Sequence, residues 1–136
     1  MDCSAFMSWC FKNANSSDKN VDNWVVSEYV NNGMNNSKVV SFKSDDVFSS
    51  IRRGDMTSNE HDDHIGMIVD VNYEKREIIV AHCSGSGHGM NLTKIRILED
   101  GSSVIIDDSC DRDSDTSKIN YFTKVIHLTY NDEKNE

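Results

Sequence analysis

"HIGMIVDVNYEKREIIVAH", residues 64–82, is the stretch on which the fold turns. Two β-rich runs, "HIGMIVDV" and "EIIVAH", flank the polar segment "NYEKR", and that pattern predicts a β-hairpin. His64 opens the first strand and His82 closes the second. A turn near Tyr73 or Glu74 brings the two histidines close together on one face of the sheet. A slip of one residue sends them to opposite faces, because side chains alternate along a strand.

Further strands are expected on either side of this hairpin. "KVVSF" (38–42), "TKIRIL" (93–98), "SVII" (103–106) and "YFTKVIHLTY" (121–130) are short apolar runs bounded by polar residues. "IRRGDM" (51–56) carries a Gly54–Asp55 turn, and "NNGMNNS" (31–37) is a turn-rich break. "DDSCDRDSDTS" (107–117) reads as a solvated acidic loop, and "NDEKNE" (131–136) as a frayed tail. Toward the N-terminus the period changes. Asp2 is a good N-cap, and Ala5, Phe6, Trp9 and Cys10 recur at helical spacing through Phe11, before "NANSSDKN" ends the element. A second short helix is expected over 21–30, with Trp24, Val25 and Tyr29 on its buried side. Helices followed by an antiparallel sheet give an α+β class, in one domain over residues 1–136 with no repeat and no internal boundary.

A chain of 136 residues suits one domain with a modest core. Its formal net charge of -9 argues against non-specific nucleic-acid binding, which requires Lys and Arg against phosphates. No apolar stretch reaches the length of a membrane span, and no secretory signal is visible. The cysteines Cys3, Cys10, Cys83 and Cys110 match no zinc ribbon or finger, and four in this length are sparse for a disulfide scaffold. Cys10, between Trp9 and Phe11, reads as core. No cofactor is called for.

Cys3 is different. In "MDCSAFMSWC" it stands at the expected start of a helix, where the positive end of the dipole favours the thiolate. A thiolate nucleophile also needs a base and a group to orient that base. His64 and His82, side by side on the sheet, supply both, and a helix docked on that face completes a Cys–His–His set.

With these motifs in order, "DCS" on a helix, "GD" in a turn, "HIG" opening an apolar strand and "VAH" closing the next, the sequence resembles the NlpC family. These are papain-like cysteine peptidases that cut the peptide stems of bacterial cell walls. The resemblance covers most of the chain, and "YFTKVIHL" is similar to the family's closing strand. It implies a papain-like fold with Cys3 as nucleophile, His64 as general base and His82 as the third polar residue. The Cys3 backbone N–H would be one oxyanion donor. The implied substrate is a peptidoglycan stem peptide, cut at a γ-D-glutamyl–diamino acid bond, and the implied location is secreted or at the cell wall. The sequence departs from the family at Ala5, where Gly is usual, in a longer hairpin, and in an insertion over 99–117. The family also places a helix and an oxyanion-assisting tyrosine upstream of the cysteine. With no counterpart here, the expectation is the C-terminal part of a longer polypeptide, lacking that helix or receiving it from a partner domain. Losing such a donor costs on the order of 10-fold to 1,000-fold in rate.

Competing readings are a non-catalytic or truncated domain that binds peptidoglycan or a partner, and a metal-binding domain. The latter would draw on His61, Asp62, Asp63, His64, His82 and His88, a donor set that suits zinc, although adjacent strand residues point opposite ways. "GSGHG" (85–89) precedes no clear helix and makes a poor phosphate cradle. The acidic loop lacks the Gly and Glu positions of a calcium hand. Cys83 reads as a bystander on the other face, and His127, within an apolar strand, as structural.

Overall fold

A computed structural model describes residue 7 and residues 37–61, 64–84, 89–108 and 119–128. Among the described residues the chain forms strands β1 (Ser37–Ser41), β2 (Met56–Ser58), β3 (Ile65–Asn72), β4 (Glu77–Ser84), β5 (Gly89–Ile97), β6 (Ser103–Asp108) and β7 (Lys124–Leu128), and the short helix α1 (Val47–Ser50). All seven strands join one antiparallel sheet in the order β1-β7-β2-β3-β4-β5-β6, curled into a half-barrel.

This corrects the α+β, papain-like class expected from the sequence. The protein is mostly β, and among the described residues the longest helix is the four-residue α1. The helical expectation rested on the spacing of apolar residues over 2–11 and 21–30. Spans of that length carry little intrinsic helix stability, so periodicity there is a weak guide. Both spans lie outside the described residues except Met7, which is helical and fully buried.

Cross-strand partners share a face, so the register sorts the side chains. Thr57 pairs with Gly66 and with Val125, while Ile68 pairs with Val80. That inner face carries the main core, where Ile68, Val80, Ile95, Ile97, Ile105 and Val125 pack with Phe42, Val47, Ile51 and Phe122. The outer face behaves differently along the sheet. At its centre Met56, Ile65, Ile126 and Leu128 are fully buried. On β5 and β6, Leu92 and Ile106 are 44% and 38% exposed. Strands β2 and β7 are therefore covered on both sides, which is why "KVIHL" reads as a nearly continuous apolar run rather than an alternating one.

The hairpin in 64–82 forms, with Asn72 opposite Glu77 and the turn over 73–76. Arg76 closes that turn at φ 58, a left-handed conformation held by its backbone carbonyl, which accepts from Ile97 N–H, and by its guanidinium, which donates to the carbonyls of Ile97 and Leu98. One residue breaks the ladder. Val69 is a β-bulge, so Asp70 pairs with Ile79 while Ile68 pairs with Val80. Continued without the bulge, the Asn72–Glu77 register would set His82 opposite Met67 and leave Gly66 and His64 on the outer face. The bulge in β3 shifts the register by one and brings Gly66 and His64 onto the inner face with His82.

Candidate functional site

The two histidines meet at the end of the half-barrel formed by the start of β3 and the end of β4. His64 Nε2 lies 2.9 Å from His82 Nδ1, with the rings nearly perpendicular. His82 Nε2 lies 2.7 Å from Thr93 Oγ1 on β5. Both ring nitrogens of His82 are thus engaged, and the ring is 1% exposed, as is Thr93. His64 is only half-buried.

Three local features hold this arrangement. Asn59 and His64 clasp the β2–β3 connection: Asn59 N–H donates to the His64 carbonyl, and His64 N–H donates to Asn59 Oδ1, both at 3.2 Å. Gly66 leaves space on the shared face, since a Cβ there would lie 2.4 Å from Val80 Cγ1 and 3.0 Å from His82 Cβ. The third feature is an aromatic wall. Phe122 stacks on His64 with centroids 5.4 Å apart, and Tyr121 meets the same ring edge-on. Asn120, at φ 56, turns the chain into that wall while its N–H and its Oδ1 bond the backbone of Ser103. Asparagine tolerates this left-handed conformation better than most residues.

A cleft of about 570 Å³ opens beside His64, lined by Asn59, Glu60, His61, Ile119, Asn120 and Tyr121. A half-exposed imidazole at a cleft, linked to a buried one and then to a buried hydroxyl, is a chain of groups that can each give and take a proton.

Of the predicted set, the structure brings together His64 and His82, and Cys3 lies outside the described residues. Cys83 is buried on the face opposite His82, as alternation requires. Sequence reasoning missed Thr93, Asn59, Tyr121 and Phe122. None has a local signal, because each reaches the site from a different strand or connection. Among the described residues no group of three or more His, Cys, Asp or Glu could hold a metal ion, while Asp62, Asp63 and His88 of the alternative metal reading lie outside them.

His127 belongs to a separate pair. It lies on the inner face of β7, 4% exposed, with Nδ1 2.7 Å from Asp55 Oδ2. Asp55 is fully buried and also accepts from the backbone N–H groups of Arg52 and Leu128.

No protein-family model, no curated protein and no solved structure matches the chain. No helix among the described residues is long and apolar enough to cross a membrane.

Proposed function

We propose that the protein is a cysteine hydrolase of amide bonds, in which Cys3 is the nucleophile, His64 the general base and His82 the residue that orients it. The observation that supports this reading is the chain His64–His82–Thr93 at the edge of a cleft. His64 Nε2 is committed to His82, so proton exchange with a nucleophile falls to Nδ1. In the first step Nδ1 takes the thiol proton while sulfur attacks the amide carbonyl. The protonated ring then delivers that proton to the departing amine, and water hydrolyses the acyl–sulfur bond with the same base. His82 stabilises the imidazolium by accepting from Nε2–H, the part a carboxylate plays in other triads.

The substrate we propose is a peptidoglycan stem peptide, cut at a γ-D-glutamyl–diamino acid bond by a secreted or wall-associated enzyme. This rests on the order of "DCS", "GD", "HIG" and "VAH" in the sequence. The test is digestion of an isolated stem peptide, read by mass spectrometry for the new amine. The expected result is cleavage by the unaltered protein, none by Cys3→Ala, and a rate lower by about 10²- to 10⁴-fold in His64→Ala. Cleavage that survives Cys3→Ala, or no cleavage at all, contradicts it.

A further inference from the structure

The cleft beside His64 has one ionised wall and one apolar wall. Glu60 is the only carboxylate among the described residues that line it, and no Lys or Arg joins it there. The Glu60 side chain is exposed and makes no hydrogen bond or ion pair among the described residues. It follows Asn59, whose two bonds to the backbone of His64 hold that connection. Ile119 forms the apolar wall. At 65% exposure it is the most exposed large apolar side chain among the described residues, yet its backbone is held. It bridges Val104 on β6, and the next residue, Asn120, bonds Ser103. A fixed isoleucine at the mouth of a cleft of about 570 Å³ is surface that a ligand can take out of water.

We propose that Glu60 and Ile119 are specificity-determining residues that bind an aliphatic primary amine, the ammonium against the Glu60 carboxylate and the methylenes against Ile119. This deepens the reading of the same site as a Cys3–His64 hydrolase and rests on it for the place of that amine, the side chain of the diamino acid released by the cut. Charge selects the ligand. A carboxylate beside an apolar wall, with no cation in the same lining, suits a cation on a hydrocarbon stem and opposes an anion. The chain's net charge of -9 draws cations toward it as well. Charge also selects the side of Glu60 on which the amine lies. Glu60 and Asn120 line a second cleft, of about 530 Å³, but Lys43 and Lys124 line that one too, and their charges oppose a cation there. The amine therefore belongs on the His64 side.

The test uses two probes, Nα-acetyl-L-lysine amide and Nα-acetyl-L-norleucine amide, which share a four-carbon side chain and differ in the terminal ammonium. Binding to the full chain is read from the shift of the His64 ring resonances at about pH 8, where an ordinary imidazole is uncharged. We expect the lysine probe to bind about 3- to 5-fold tighter than the norleucine probe, the upper range for an exposed ion pair. Glu60→Gln should bring the two probes within about 2-fold of each other, and Glu60→Lys should reverse their order. Ile119→Ser should weaken both by about 4-fold, the worth of one methylene contact. No binding of either probe, no preference in the unaltered protein, a lysine preference that survives Glu60→Gln, or undiminished binding in Ile119→Ser would overturn the proposal. A γ-D-glutamyl-L-lysine peptide offered to the same proteins separates the amine site from the reaction. Selective probe binding without Cys3-dependent cleavage of that peptide upholds the roles of Glu60 and Ile119 and removes the hydrolase reading instead.

Discussion

The inner face of the sheet holds two hydrogen-bonded histidine sites, built on opposite principles. At one end, His64, His82 and Thr93 link two imidazoles and a hydroxyl, all of which can exchange donor and acceptor roles, and His64 is partly open to a cleft. At the other, Asp55 is fully buried and accepts from His127, from Arg52 N–H and from Leu128 N–H. Those bonds tie the 52–55 turn to the end of β7, and the carboxylate has no freedom to change partners. The difference separates a histidine that can work from one that holds the fold. Exposure to a cleft and a reversible partner mark the first, and a saturated, enclosed carboxylate marks the second.

The largest effect should come from breaking the enclosed pair. Asp55→Ala removes the acceptor of two backbone N–H groups and the carboxylate beside the buried His127 ring, a loss of about 3–5 kcal/mol. Urea unfolding should show it. A change below about 1 kcal/mol would mean that the 52–55 turn is held by something else. His64→Ala, by contrast, should cost little stability, because the ring is only half-buried.

Gly66→Ala comes next. Its Cβ would intrude on Val80 and His82, so the strand or both side chains must move. Overpacking of this kind costs about 1–3 kcal/mol. Unlike Asp55→Ala, it should also shift the His82 ring resonances, and a stable variant with an unmoved His82 would show that the glycine is not what seats that ring.

The smallest effect sharpens the contrast with a pair in which Arg96 is open to solvent and Glu77 is largely covered. On the outer face, Arg96 donates to Glu77 at 2.6 Å, and that hydrogen bond with the guanidinium charge holds the Glu77 carboxyl below its ordinary range. A carboxyl with a lowered folded pKa adds stability above its unfolded pKa and loses it as pH falls through the folded value. Glu77→Gln should therefore weaken the protein slightly at neutral pH and match it at strongly acid pH. A difference that grows on acidification would reverse the sign and refute this assignment.

Much of the sheet was legible in the sequence, because its strands are apolar runs between polar breaks. The hairpin of 64–82 and the strands around Val39, Ile95, Ile105 and Ile126 stand close to where the pattern puts them. β2 was not legible, since three residues carry no period, and its place between β7 and β3 is a long-range matter. The parity of His64 and His82 was legible only as a condition on the turn. The structure meets it through a bulge at Val69 that no local residue preference announces. The helical class failed for a related reason: spacing over a short span says little about which elements dominate the fold. Thr93 and Asn91 looked like ordinary strand positions, and only the β4–β5 register puts them beside His82.

On the proposed reading, the contrast between the two histidine sites is that His64 serves Cys3 while His127 serves the fold. The most direct measurement is the rate of Cys3 alkylation by iodoacetamide at neutral pH, read by peptide mass spectrometry, in the unaltered protein and in His64→Ala. An unperturbed thiol of pKa about 8.5 is only a few per cent thiolate at pH 7. The account predicts that Cys3 labels at least about 10-fold faster than such a thiol, and that His64→Ala brings it down to the ordinary rate. Ordinary labelling of Cys3 in the unaltered protein, or labelling indifferent to the loss of His64, would contradict it.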